Sequence, residues 1–218
     1  MAEVLEEGWV DARVHAEFPD LRLRWLVADA RPGRSSPDLQ ARLRLLSDRF
    51  TGAQAIAMRR TPVPQAYRVF FRGIGLDPDT TRTPIEAAAL DRLFSGGFVA
   101  SDVIADALLL ALVETGVPLW AVDDAALDGP LGIREARAGE RLGTTEHAHE
   151  VPPGRLLVTD AEAPVAVLFG DVVPSHRPHA RTRRIRVFSL QVAGVPEIHV
   201  EEALWLCAEA LHAAGDPR

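Results

Sequence analysis

Thr83-Pro84-Ile85-Glu86 fixes the start of a helix more firmly than any other stretch of this chain. Threonine suits the N-cap, proline suits the first helical position, and glutamate at N3 reaches back to the N-cap amide. Just upstream, Tyr67, Val69 and Phe71 alternate with Arg68, Phe70 and Arg72, which predicts a short strand or an exposed edge. Gly73 and Gly75 permit a tight turn, and Asp77-Pro78 marks another. Three arginines, Arg68, Arg72 and Arg82, therefore surround a helix start, whose amides and dipole favour an anion. Two readings stand. Either a phosphate or carboxylate is held there, or the arginines pair with Asp77, Asp79 and Glu86 and lock the turn; residue types alone favour the second.

The chain has 218 residues, enough for a full hydrophobic core in one large domain or two small ones. Its net charge of −7 argues against a general nucleic-acid binder, although a local basic patch remains compatible with it. All 24 basic residues other than histidine are arginine, for which composition bias is the favoured explanation. Met1 is followed by Glu3, Glu6 and Glu7 rather than by the basic and apolar regions of a signal peptide. No uncharged apolar run is long enough to span a bilayer. Cys207 is the only cysteine, which excludes an intrachain disulfide and fits a reducing, cytoplasmic setting.

In chain order, Trp9 to Phe18 and Leu21 to Asp29 read as two strands of a possible hairpin. Leu39, Leu43, Leu46 and Phe50 repeat at helical spacing after Ser36-Pro37, and Ala53 to Arg59 extends that pattern beyond Gly52. Thr61-Pro62-Val63-Pro64 is expected to end it. A second, nearly all-apolar helix is expected from Asp102 to Thr115, with Ser101 as N-cap and Gly116 after its end. Its Asp106 needs a partner if buried, with an arginine the preferred choice. Strands are expected at Pro118 to Val122, Leu131 to Arg137, Leu156 to Thr159 and Val165 to Phe169. The most basic stretch, His176 to Arg186, reads as a loop entering a strand that runs to Val192. Its arginines suit phosphate contact or merely balance nearby acids, and the two readings weigh about equally. His147 with His149, and His176 with His179, lack a third metal ligand, so they read as surface residues. Val200, Leu204, Cys207 and Leu211 mark a last amphipathic helix with the cysteine as core filler. These patterns add up to one α+β domain of mixed or antiparallel sheets and about four helices.

The ordered series Tyr-Arg-x-Phe-Phe-Arg-x-x-Gly-x-Asp-Pro-x-x-x-Arg-x-Pro-x-Glu-Ala, from Tyr67 to Ala87, resembles the central motif of the B3/B4 domain. That domain occurs in the β subunit of bacterial phenylalanyl-tRNA synthetase and in free-standing proteins. A weaker similarity runs from about Val10 to the C-terminus, through Pro118 to Asp123, Gly139-Glu140, Pro153 to Val158 and Thr182 to Ile185. The resemblance implies a single B3/B4-type domain over residues 1–218. In the synthetase this region hydrolyses tRNA charged with the wrong amino acid, chiefly tyrosine. Backbone amides and a few polar groups can polarise such an ester.

The chain departs from that pattern at three places. Leu109 stands where the subunit has an asparagine, Trp120 where it has a histidine, and the glycine-rich stretch at Gly170-Asp171 is reduced. The resemblance therefore leaves the catalytic residues unassigned. It implies a tRNA-binding protein that clears misacylated tRNA in trans, or else a non-catalytic module for an amino-acid-like ligand or protein partner. For RNA the expected contacts are Arg68, Arg72, Asp77, Arg82 and Glu86, with Arg177, Arg181, Arg183 and Arg184 on the tRNA backbone. The expected partner is tRNA or aminoacyl-tRNA, with no cofactor, metal, membrane or DNA.

Overall fold

The computed structural model describes residues 4–50, 52–143 and 148–215. Its N-terminal half holds strands β1 (Glu6–Glu7), β2 (Trp9–Val10) and β3 (Arg22–Asp29) and helices α1 (Ala12–Glu17), α2 (Pro37–Arg49), α3 (Gly52–Met58), α4 (Pro62–Gly73), α5 (Pro84–Ser95) and α6 (Val103–Thr115). The C-terminal half holds β4 (Leu119–Asp123), β5 (Gly132–Glu135), β6 (Arg141–Leu142), β7 (His149–Glu150), β8 (Leu156–Thr159), β9 (Pro164–Val167), β10 (Arg184–Gln191) and α7 (Glu197–Gly215). The fold is α+β, as the sequence patterns indicate. The α-helices among the described residues number seven rather than about four, because α1, α3 and α4 lie in stretches that read as strand or as the extension and end of a neighbour.

β1, β3, β10 and β4 form an antiparallel sheet in that order, and β2, β5, β8 and β9 form a mixed one. β3 therefore pairs with β1 and β10 instead of making a hairpin with Trp9, while β2 joins β5 in parallel. Trp25, Phe188 and Trp120 stand opposite one another across the first sheet, and so share a face. That face meets the second sheet, since Trp120 and Phe188 border one gap with Val158 and Ala166. The opposite face carries Arg24, whose guanidinium bonds Glu197 and Glu201 of α7. Helices thus cover one side of the first sheet, and the second sheet covers the other.

Two stretches correct the sequence-based reading. Tyr67 to Arg72 is helical: Val63, Tyr67, Phe70 and Phe71 are buried at helical spacing, and Val69 faces outward. Pro62 and Pro64 do more than end α3. They open α4, where a missing amide costs nothing and the fixed φ is already suitable. Likewise the Trp9 to Phe18 alternation breaks after Val10, because the Asp11 carboxylate accepts from the Arg13 amide at 2.9 Å and caps α1.

The apolar helix α6 sits where expected, with Ala107, Leu110 and Ala111 fully buried. Its N-cap is Asp102 instead of Ser101, accepting from the amides of Ile104 and Ala105. Asp106 is buried, but its partners among the described residues are the Ser35 hydroxyl and Ser101, whose amide donates at 2.9 Å, rather than an arginine. Gly116 ends α6 at φ 76°, and a Cβ there would meet Pro64 at 3.0 Å, so both backbone and space demand glycine. On α7, Val200, Leu204, Cys207 and Leu211 are all buried on one face. Among the described residues, no helix is long and apolar enough to cross a membrane.

Tyr67 ties α4 to the first sheet: its hydroxyl donates to the Leu190 carbonyl at 2.6 Å, and burial pushes its pKa far up. Tyr67→Phe strands that carbonyl without a donor. The expected loss is about 1–2 kcal/mol, read as a lower urea midpoint at unchanged slope.

Candidate functional site

The helix start at Thr83 organises the densest ionic cluster near the central motif. Thr83 is fully buried, and Glu86 is nearly so. The Glu86 carboxylate accepts from the Thr83 amide at 3.2 Å and from the Thr83 hydroxyl at 2.9 Å. It also accepts from Arg59 Nε at 2.6 Å and from Arg68 Nη1. Asp79 bridges the same two arginines, accepting from Arg59 Nη2 at 2.8 Å and Arg68 Nη2 at 2.6 Å. Arg72 stands 3.7 Å from Asp79. Asp77 shapes the turn, its carboxylate taking the Asp79 amide at 3.0 Å.

These contacts set the ionisation of the cluster. Burial opposes the Glu86 charge, but donation from Thr83 and Arg59 and the field of Arg68 outweigh it and hold its pKa below the ordinary value. Burial likewise opposes the Arg68 charge, yet Asp79 and Glu86 raise its pKa. Hydrogen bonding from Arg68 is the largest influence lowering Asp79. Arg68 is therefore committed to carboxylates on both sides. Arg82 is exposed and has no ion pair or side-chain hydrogen bond among the described residues. Arg59 escaped sequence reasoning, since nothing local distinguishes it from other surface arginines.

The second arginine group precedes β10. Arg177 donates from Nε to the Val172 carbonyl at 2.7 Å. Arg183 donates only to backbone carbonyls, including Thr182 at 2.9 Å. Arg184 pairs with Asp124, which also accepts from Arg186 Nη2 at 2.8 Å. The Arg181 side chain is exposed and has no acidic partner among the described residues. His176 is buried rather than superficial, 3.5 Å from Asp160, whereas exposed His179 lies 3.3 Å from Asp123. Each has its own carboxylate; His147 lies outside the described residues. The two arginine groups are not together. Arg184 opens β10, and Tyr67, the neighbour of Arg68, reaches that strand six residues later at Leu190, about 20 Å along it.

The positions at which the sequence departs from the motif it resembles have a clear structural setting. Trp120 stacks on Phe188 with centroids 5.6 Å apart and planes 16° apart. Phe169 meets Trp120 edge-on at 5.7 Å and touches Phe71, Phe70 and Tyr67 of α4. Its φ of 63° is a left-handed value that bulky residues avoid. The gap bordered by Trp120, Phe169, Gly170 and Phe188 has no room for a water molecule. Leu109 is elsewhere, on a groove with Pro84 and Val99.

No protein-family model matches the chain. Over 94 residues it is 35% identical to the phenylalanine–tRNA ligase beta subunit of Xanthomonas campestris, covering 43% of this chain and 12% of that subunit. It is 33% identical over 102 residues to the same subunit of Thermobifida fusca, covering 46% of this chain and 12% of the other. For Chromobacterium violaceum the figures are 35% over 85 residues, 38% of this chain and 11% of the subunit. The similarity thus spans about an eighth of the length of these relatives.

Glu86→Gln should cost about 3 kcal/mol, because it leaves Arg68 buried beside a neutral group. Asp79→Asn, at an exposed acid, should cost less than about 1 kcal/mol. Because the folded pKa of Glu86 is depressed, its contribution is complete above its unfolded pKa. It is lost as pH falls below about 4.5 and through the folded value. Urea midpoints between pH 6 and 3, on the order of that window, should fall more steeply for the wild type than for Glu86→Gln.

Proposed function

We propose that this chain is a B3/B4-type domain that binds tRNA and does not hydrolyse its aminoacyl ester. The observation carrying the second half is the packing of Trp120, Phe169 and Phe188. Where the resemblance would put a histidine and a glycine-rich turn, three rings close the space. Ester hydrolysis needs a water and a polarising donor within reach of one carbonyl. The similarity to phenylalanine–tRNA ligase beta subunits supports the RNA half.

Within this reading the residues divide by what their charges already meet. Arg68, Asp77 and Glu86 build the turn that presents the motif. Arg72 and Arg82 remain exposed with little or no acidic neutralisation, and Arg181 and Arg183 likewise at the other end of β10. These four meet phosphates, while Arg177 and Arg184 keep the second segment in shape through Val172 and Asp124. Two separated basic points suit an extended RNA better than a small anion.

Two measurements test this. Fluorescence anisotropy with phenylalanine tRNA should give an affinity that falls as salt rises, and Arg181→Ala with Arg183→Ala should flatten the logarithmic slope by about 1.5. A deacylation panel including tyrosine-charged phenylalanine tRNA should show no acceleration over buffer. Turnover of any charged tRNA, lost in Arg72→Ala, would overturn the non-hydrolytic reading; salt-independent or absent binding would overturn the RNA reading.

A further inference from the structure

A cleft of about 540 Å3 opens where α2, α3, α4 and α6 meet, within the size range of small-molecule sites. Its walls are apolar: Leu46, Phe50, Met58, Val63, Ile85 and Val113. Below it lies a small satellite core of Ala55, Met58, Ile85 and Ala89. The polar side chains on its lining are nearly all matched. The Thr61 hydroxyl donates to the Met58 carbonyl at 2.6 Å, and the Thr115 hydroxyl to the Ala111 carbonyl at 2.7 Å. Glu114 lies 3.8 Å from Arg42, and His199 lies 3.5 Å from Glu202. Gln54 has a partner too.

Arg49 is the exception. It stands exposed in the last turn of α2, on the lining, with no ion pair or side-chain hydrogen bond among the described residues. A surface of this kind offers apolar contact and one unmatched positive charge. An amine would meet only carboxylates that already have partners. A neutral molecule would leave the guanidinium unused. A planar carboxylate matches the guanidinium fork, and the flexible Met58 side chain can adapt to an apolar body of varied shape.

We propose that this cleft binds a small amphiphilic monocarboxylate, its apolar body against Phe50 and Met58 and its head group on Arg49. None of these residues belongs to the arginines proposed to meet RNA, so the two activities are separable. The test is calorimetric titration of the full chain with decanoate, decanol and decylammonium. Decanoate should bind saturably at one site, with decanol about fivefold weaker, since an exposed guanidinium contributes modestly, and decylammonium no tighter than decanol. Arg49→Gln should bring decanoate to the decanol level. Ala57→Phe, which fills the cleft from an exposed lining position, should abolish binding without shifting the melting temperature of the free protein. Absence of saturable decanoate binding, or binding that survives Ala57→Phe in a variant of unchanged melting temperature, would overturn the site. Equal affinity for decanoate and decanol would overturn the anionic head group.

Discussion

The ring of Phe169 joins the parts of this molecule that the chain keeps far apart. It touches three aromatic residues of α4 and the indole of Trp120 on β4, and Trp120 stacks in turn on Phe188 of β10. Its left-handed backbone has an energetic cost of roughly 1–3 kcal/mol. Offset and edge-on ring contacts, at about 0.5–1.5 kcal/mol each beyond burial, are sufficient to offset it. Glycine at 169 would relieve the backbone but open the interior between helix α4 and both sheets. The same packing that secures the layers leaves no room for a water between Trp120, Phe169 and Phe188.

Around the central motif the constraint is ionic instead. Glu86 gathers Arg68 of α4 and Arg59 from the turn after α3 onto the first turn of α5, and Asp79 repeats the bridge from the loop. Bringing Arg68 out of water is tolerable only because both terminal nitrogens of its guanidinium donate to carboxylates. The residues of the motif that look most suited to an anion are thus the ones already holding one. Arginines at the exposed periphery, such as Arg72 and Arg82, carry little or no carboxylate pairing among the described residues.

What the sequence revealed follows the range of the forces involved. The capping box at Thr83 and the ends of α6 at Asp102 and Gly116 are set by neighbours within four residues, and local pattern locates them to within one position. The α+β class was readable for the same reason. Helix α4 was misread because its arginines and apolar residues satisfy a period of two nearly as well as a helical period, and only burial of Tyr67, Phe70 and Phe71 together decides. Arg59 joining Glu86 across 27 positions, and Phe169 meeting α4 across about a hundred, leave no local trace. That Trp120 is a large ring where the resemblance has a histidine is visible in the sequence; that Phe169 and Phe188 close over it is not.

The place of β10 in its sheet bears on how the protein is made. β10 lies between β3 and β4, although it is the last strand in the chain. Until residues 184–191 have left the ribosome, β3 and β4 have no common partner, and each presents an open row of amides and carbonyls. The hydroxyl of Tyr67 waits just as long for Leu190, 123 positions later. Most of the N-terminal half, including the near-continuous apolar surface of α6, must therefore be synthesised before the strand that organises it exists. Completion of the first sheet is a late, long-range event, so a nascent chain stalled before β10 is the species most exposed to aggregation.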